Sequence, residues 1–203
     1  MKNTLREKLD TGAATLGTHF LSCDPDIAEI VGDTGLFDYG EFCAEYGVLD
    51  MQTLYHMARA GQCANLPLMI KPDQANQDFW AQAALGAGFK AVLFTDIRTP
   101  EDVLAGHRSI TADMPDVGGH MGVKLRRPAL VGYRPDVYLE DLKSVLLTIM
   151  IEKDAAVKNI EPILEIAKKQ VVAMTQWGPA DFGFSRGQPN LMDSKDIRPI
   201  ENL

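Results

Sequence analysis

The amino-acid sequence predicts an α/β fold in which helices alternate with the strands of a parallel sheet. Two observations lead to this prediction. Apolar runs recur at intervals of roughly twenty-five to thirty residues, with helix-like segments between them, which is typical of βα units. In addition, the run Leu146–Ile151 is almost continuously apolar, as expected for a strand that is buried on both faces of a parallel sheet.

The predicted strands are short apolar segments separated by turn residues and by helix-like stretches. In chain order they cover residues 15–22, the segment 35–47 with its exit loop, 66–71, 90–94, 146–151 and a last apolar segment at 171–174. About six strands are therefore expected before the chain reaches its final Gly- and Pro-rich region.

The predicted helices lie between these strands and show start signals of their own. They cover residues 5–10, 24–31, 50–60 and 76–85, and another helix begins at Thr99-Pro-Glu-Asp102. Threonine at the cap, proline at the first position and acids in the first turn are each favourable at that end of a helix.

Composition indicates one globular domain over residues 1–203, because 46% of the residues are hydrophobic and 24% are charged. The formal net charge of −8 and the lack of a basic run argue against nucleic acid or an anionic membrane as a partner. No apolar stretch approaches the ~18 residues of a membrane helix, and the first residues lack a signal-peptide core, so we expect a cytoplasmic protein. The three cysteines form no CxxC pair, which indicates neither a disulfide framework nor a zinc site.

Two carboxylates follow apolar runs near the end of the chain. Glu152 comes directly after the run 146–151, and Asp181 lies in a predicted Gly- and Pro-rich loop at 178–187, after the apolar residues 171–174. The carboxyl ends of parallel strands meet at one edge of the sheet, where two acids can hold a hard divalent cation and leave positions for water and substrate. The alternative is structural: the glutamate caps a helix and the aspartate holds a turn.

The same segments carry a resemblance to a known family. A strand that ends in Ile-Glu152, followed by Ala156-Val-Lys-Asn-Ile160 and later by Gly178-Pro-Ala-Asp181, resembles the HpcH/HpaI aldolases. These are metal-dependent pyruvate aldolases of class II, related to citrate lyase and macrophomate synthase. The resemblance runs from the first residues to about Asn190.

The resemblance implies a TIM-type (β/α)₈ barrel. A complete barrel has typically ~250 residues, so the last strands and the C-terminal helix of the family are expected to be absent from this chain. An open parallel edge favours association, and we expect a homo-oligomer of the family's trimer-of-dimers type.

The implied activity is the cleavage or formation of 4-hydroxy-2-oxo acids through a pyruvate enolate. By resemblance, Glu152 and Asp181 bind Mg²⁺ or Mn²⁺, and the backbone around Gly178, Ala180 and Asp181 holds the carboxylate of the 2-oxo acid. Lys71 stands where the family has an arginine, and it is the candidate for stabilising the enolate. A lysine supplies this charge without the bidentate geometry of an arginine, and the alternative is a strand-end lysine that reaches into solvent.

The group that transfers protons is where this sequence departs from the family. The family motif Asp-x-Glu-His-Gly reads Cys43-Ala-Glu45-Tyr46-Gly47 here, so Glu45 is retained and Tyr46 replaces the histidine. A phenol, with a reference pKa of about 10, is a poor base at neutral pH but a competent proton donor. His19, near the end of the first strand, is a candidate substitute base, or simply a strand-end side chain.

The long segment 113–134 is rich in Gly, Pro and Arg and includes Arg126-Arg-Pro128. It corresponds to an irregular segment of the family, and it is either an active-site flap or subunit contact, or a long surface loop.

Two further interpretations of the altered site remain open. One is an enzyme that acts on a different carbon–carbon bond, such as an oxaloacetate decarboxylase or a citrate-lyase-like enzyme. The other is a non-catalytic homologue that keeps the fold and has lost turnover.

Overall fold

The computed structural model describes residues 2–47, 49–125 and 132–202. It divides into two compact units, which we treat separately: unit 1 comprises Met1–Leu93 and Arg108–Leu146, and unit 2 comprises Phe94–His107 and Leu147–Leu203. Six strands belong to one sheet and follow each other in chain order. The α/β prediction is confirmed, and the described residues contain six strands rather than the eight of a complete barrel.

Unit 1 begins with helix α1 (Thr4–Asp10) and then alternates strands and helices. Its strands are β1 (Gly17–Phe20), β2 (Tyr39–Cys43), β3 (Leu68–Lys71) and β4 (Ala91–Phe94), of which the last residue belongs to unit 2. The helices are α2 (Pro25–Asp33), α3 (Met51–Cys63), α4 (Gln77–Ala87), α5 (Pro100–Ile110), which has residues in both units, and α6 (Pro135–Lys143). Short 3₁₀ turns follow β2 (Ala44–Tyr46) and β3 (Gln74–Asn76).

The strands of unit 1 pair in parallel with a continuous register. Gly17 to Phe20 of β1 lie opposite Tyr39 to Phe42 of β2, and Gly40 to Cys43 lie opposite Leu68 to Lys71 of β3. All residues of β3 and β4 are buried, as their apolar sequences predict. The strands are shorter than predicted at 15–22 and 35–47, because residues at the ends of those segments, including exposed Leu16, Leu21 and Leu36, lie outside the sheet pairing.

Acidic caps determine where several helices begin. The carboxylate of Asp24 accepts a hydrogen bond from the Asp26 N–H at 3.1 Å, and that of Asp50 accepts one from the Thr53 N–H at 2.7 Å. At α5, Asp102 Oδ2 accepts a hydrogen bond from the Thr99 N–H at 2.8 Å. Within the described residues, no helix is long and apolar enough to span a membrane.

Among the described residues, unit 2 contains the last two strands, four helices after α5 and two 3₁₀ turns. They are β5 (Leu146–Ile151, whose first residue belongs to unit 1), α7 (Asp154–Lys158), α8 (Ile160–Lys169), β6 (Met174–Trp177), α9 (Pro179–Ser185), two 3₁₀ turns (Leu191–Asp193 and Lys195–Ile197) and α10 (Arg198–Glu201). All six residues of β5 are buried. Thr148 to Ile151 of β5 lie opposite Met174 to Trp177 of β6 in parallel.

Two predictions for this region are wrong in detail. The last strand is not 171–174 but Met174–Trp177, because α8 continues to Lys169 and Val171 turns the chain with a left-handed φ of 54°. The Val172 N–H then bonds back to the Ala167 carbonyl at 2.9 Å, so these apolar residues form a helix end. The segment 178–187 is also not a loop throughout, since Pro179–Ser185 forms α9.

The irregular segment predicted at 113–134 is described as far as residue 125 and again from residue 132. An isolated bridge joins Ala112 to Met121, and the Tyr138 hydroxyl of α6 donates to the Gly122 carbonyl at 2.6 Å. The arginines at 126 and 127 lie outside the described residues. The proposed role of this segment as a flap or a subunit contact therefore stays a prediction.

Candidate active site

Glu152 is the first residue after β5, and its carboxylate is buried at 4% exposure. Its Oε1 accepts a hydrogen bond of 2.7 Å from the backbone N–H of Asp96. Asp96 follows β4 in a left-handed conformation with φ of 57°, which aspartate tolerates better than most residues. A buried carboxylate needs such a donor because it has lost its hydration.

Lys153 joins two further carboxylates to this group. Its ammonium nitrogen lies 2.7 Å from Asp181 Oδ1 and 2.9 Å from Asp96 Oδ1, and its side chain is only 11% exposed. Burial by itself lowers the pKa of Lys153, but the hydrogen bonds to Asp181 and Asp96 outweigh it and raise the pKa above the usual lysine value. The ammonium is therefore charged at neutral pH, between two carboxylates.

Asp181 owes its position to helix α9, which is anchored by the next residue. Phe182 is fully buried and packs with Leu191 and Ile197, and its ring lies 5.0 Å from that of Trp177 between centroids. The side chain of Asp181 itself is half-exposed. Apolar packing thus holds the helix in place and leaves the carboxylate at the surface of unit 2.

Gly178 directly precedes α9 and packs against Glu152. A Cβ atom at this position would lie 2.6 Å from the Cβ of Glu152 and 3.0 Å from its Oε2. The Gly178 N–H donates to the Ile151 carbonyl at 3.1 Å, so this amide is already used by the strand ladder. Of the predicted substrate-binding residues, Gly178 therefore makes room for the buried carboxylate, while Ala180 is exposed in the first turn of α9.

The structure therefore brings the two predicted metal ligands into one network: Glu152 bonds to Asp96, which pairs with Lys153, which pairs with Asp181. The donor chemistry fits a hard divalent ion, since both predicted ligands are carboxylates. The missing side chain at Gly178 allows Glu152 to pack there. Among the described residues, however, no group of three or more His, Cys, Asp and Glu side chains is arranged to hold a metal ion.

Three of the predicted catalytic residues meet in unit 1. Lys71 ends β3 with 7% exposure, and its ammonium forms an ion pair with the Glu45 carboxylate. The same nitrogen lies 5.1 Å from the centroid of the Tyr46 ring. Because Cys43 lies opposite Lys71 in the register of β2 and β3, the 3₁₀ turn that follows β2 is placed beside the end of β3.

Cys43, which replaces the family aspartate, is a buried thiol. Its Sγ donates to Glu41 Oε1 at 3.3 Å. Burial, followed by the negative charge of Glu41, raises the pKa of the Cys43 thiol to about 12. His19 lies opposite Glu41 in the register of β1 and β2 and is exposed. Cys43 is therefore a neutral group at physiological pH and does not supply the charge of an aspartate.

The sequence model of the HpcH/HpaI aldolase/citrate lyase family matches residues 43–202, which include both the Glu45-Tyr46 turn and the Glu152–Asp181 network. The chain belongs to this family. The resemblance seen in its motifs is thereby confirmed.

Relatives of this HpcH/HpaI chain include a 2-keto-3-deoxy-L-rhamnonate aldolase of Klebsiella pneumoniae subsp. pneumoniae, which is 26% identical over 98% of the chain and 73% of that protein. A family member of solved structure from Burkholderia cenocepacia J2315 superposes with a TM-score of 0.80 at 24% identity, over 99% of this chain and 78% of that one. The citrate synthase SbnG has a TM-score of 0.78 at 20% identity, over 98% and 74% of the two chains. At these identities the two structures establish a shared fold.

Sequence reasoning missed two members of the network, Asp96 and Lys153. Each is the second residue after a strand, β4 for Asp96 and β5 for Lys153, in the region where charged side chains were expected to matter. The position of each was therefore available as a signal. Nothing in the sequence indicated that these two side chains pair, because their pairing depends on a left-handed turn at Asp96 and on the packing of α9.

Proposed function

We propose that this chain is a divalent-metal-dependent carbon–carbon lyase of the aldolase type, which cleaves or forms 4-hydroxy-2-oxo acids through a pyruvate enolate. The observation that carries the proposal is the Glu152–Asp96–Lys153–Asp181 network in a chain of the HpcH/HpaI family. Relatives that match 98% of the chain and are named as 2-keto-3-deoxy-L-rhamnonate aldolases support a 2-oxo acid as substrate.

In this proposal Glu152 and Asp181 hold Mg²⁺ or Mn²⁺. The bound ion supplies Lewis acidity toward the keto and carboxylate oxygens of a 2-oxo acid. Glu152 contributes a carboxylate that is held in place by the Asp96 N–H and by the lack of a side chain at Gly178. Asp181 contributes a half-exposed carboxylate on a helix that is anchored through Phe182. The backbone of Ala180 and Asp181 is proposed to receive the carboxylate of the substrate.

The residues of unit 1 are proposed to serve charge and proton transfer. In the cleavage direction, the 4-hydroxyl group loses its proton, the bond between C3 and C4 breaks, and the electron pair forms the enolate of pyruvate while the aldehyde leaves. Protonation of C3 then gives pyruvate. Lys71 is proposed to stabilise the enolate as a point charge, and its ion pair with Glu45 fixes the position of the ammonium.

The proton carriers are proposed to be Tyr46 and His19, with Glu45 as the orienting acid. Tyr46 is 64% exposed and its ring lies 5.1 Å from the Lys71 ammonium, so its hydroxyl is proposed as the proton donor beside that charge. His19 is exposed on β1 and is the remaining candidate for a base.

We also expect a homo-oligomer, which light scattering of the purified protein will test.

The test measures pyruvate release from 4-hydroxy-2-oxo acids with Mg²⁺ or Mn²⁺ and with chelator, through a lactate dehydrogenase coupling reaction. Glu152→Gln keeps an oxygen that can accept from the Asp96 N–H and removes only the charge, so we expect activity to fall by about 100-fold or more with the fold intact. The matched control is Glu161→Gln, which removes an exposed charge in the first turn of α8 and should leave activity unchanged.

Equal activity of the wild type and Glu152→Gln would contradict the proposed role of this carboxylate. Carbon dioxide release from oxaloacetate without aldol cleavage would instead identify a decarboxylase. If no 2-oxo acid is turned over and no Mn²⁺ is bound, the chain is a non-catalytic homologue.

A further inference from the structure

Lys153 places a fixed positive charge next to both proposed metal ligands. It directly follows Glu152 in sequence, and its ammonium lies 2.7 Å from Asp181 Oδ1. The contact is not a chance surface pair, because the lysine side chain is 11% exposed and is held by a second carboxylate, Asp96, at 2.9 Å. Two anchors on one ammonium restrict where the nitrogen can lie.

This arrangement conflicts with the simultaneous binding of a divalent ion at Asp181. One of the two carboxylate oxygens of Asp181, Oδ1, already accepts a charged hydrogen bond from Lys153. Two cations that share one carboxylate also repel each other over a few ångströms, in a region where the lysine is shielded from water. The ammonium must leave Asp181 before both oxygens of that carboxylate are free to coordinate the ion.

We propose that Lys153 is a tethered competitor of the divalent cation at Asp181, and that binding of the ion displaces its ammonium from Asp181 onto Asp96 alone. The inference rests on the proposed function in that Glu152 and Asp181 hold the ion. Asp96 retains the displaced charge, since its carboxylate is only 22% exposed and already lies within ion-pair distance. Lys153 therefore weakens metal binding without preventing it.

A purely structural role for Lys153 predicts a different result. If the lysine only ties α9 to the end of β4, its removal lowers thermal stability and leaves metal affinity the same or weaker. If it competes, its removal strengthens metal binding whatever happens to stability. The two roles are thus separated by a binding measurement on the folded protein.

The experiment is a Mn²⁺ titration of the full chain, followed by the electron paramagnetic resonance signal of the free ion and by calorimetry. We expect Lys153→Met to bind Mn²⁺ about fivefold more tightly than the wild type, the factor that an ion pair of about 1 kcal/mol corresponds to. Lys153→Arg keeps the charge and should stay within about twofold of the wild type.

The matched control is Lys169→Met, which removes one positive charge from the same unit. Lys169 lies in the last turn of α8, before β6, and pairs with exposed Glu165 at 2.7 Å. The Lys169→Met variant should bind Mn²⁺ with the same affinity as the wild type. Lys153→Gln provides a second neutral variant if the methionine variant does not fold.

Tighter Mn²⁺ binding in the neutral variants of Lys153, with the other two variants unchanged, supports the proposal. Equal or weaker binding in Lys153→Met overturns it, and metal-dependent pyruvate release by the wild type would then leave the proposed function standing. If no variant binds Mn²⁺ and pyruvate release does not depend on metal, the inference and the metal site fall together.

Discussion

The glycine before α9 offers the sharpest test of how the candidate site is built. In Gly178→Ala, the new methyl group would lie 2.6 Å from the Cβ of Glu152, about 1 Å inside normal carbon–carbon contact. Glu152 cannot rotate away freely, because it is 4% exposed and bonded to the Asp96 N–H at 2.7 Å. Overpacking of this kind costs about 1–3 kcal/mol. Partial loss of the charged hydrogen bond adds about 1 kcal/mol.

We therefore expect Gly178→Ala to lower the unfolding free energy by about 2–4 kcal/mol, which for a chain of this size is a fall in Tm of about 5–15 °C. Circular dichroism melts will measure it. Activity should fall further than stability requires, since a displacement of about 1 Å at a catalytic group costs about 100-fold. The matched control is Gly122→Ala, whose new methyl group has no atom within 4 Å. If both variants have the same Tm as the wild type, Glu152 is not packed against residue 178 as described.

Three further predictions concern unit 1. Lys71→Met should lower the unfolding free energy by about 2–4 kcal/mol in denaturant melts, because it leaves the half-buried Glu45 carboxylate without its cation. The double variant Lys71→Met with Glu45→Gln should recover at least half of this loss. If it recovers nothing, the two side chains do not interact. The pKa of Cys43, raised from its ordinary 9.0 to about 12, implies that the stability due to this thiol is present below pH 9 and is lost as the pH rises toward 12. At pH 8, Cys43 should also react with a thiol reagent at least ~100-fold more slowly than exposed Cys63, and equal rates would contradict its burial.

Most of the fold was predictable from local patterns. The continuous apolar run at Leu146–Ile151 was predicted as a buried strand and is β5, with the predicted bounds. Proline and acids after Thr99 correctly marked the start of α5. The last strand was misplaced because Val171 and its apolar neighbours resemble a strand locally, while the length of α8 assigns them to the turn.

The candidate site was predictable only in part. Strand-end position made Glu152 a candidate, because ligands bind at the carboxyl ends of parallel strands. Glu45 and Lys71 were candidates through the resemblance to the family. The pairing of the charges could not be predicted from the sequence in the same way. The sequence places Lys153 beside Glu152, but the ammonium pairs with Asp96 and Asp181, which are 57 residues before and 28 after it in the chain.

The α/β alternation, the family motifs and the candidate acidic positions can be read from the sequence. They follow from periodicity, caps and short motifs, which act over a few residues. The position of a lysine, rather than an empty space, beside Asp181 is a consequence of the tertiary fold. That outcome depends on the left-handed turn at Asp96, the absent side chain at Gly178 and the anchoring of α9 by Phe182. Electrostatic partners are set by distance in space, and distance between remote segments is determined by packing.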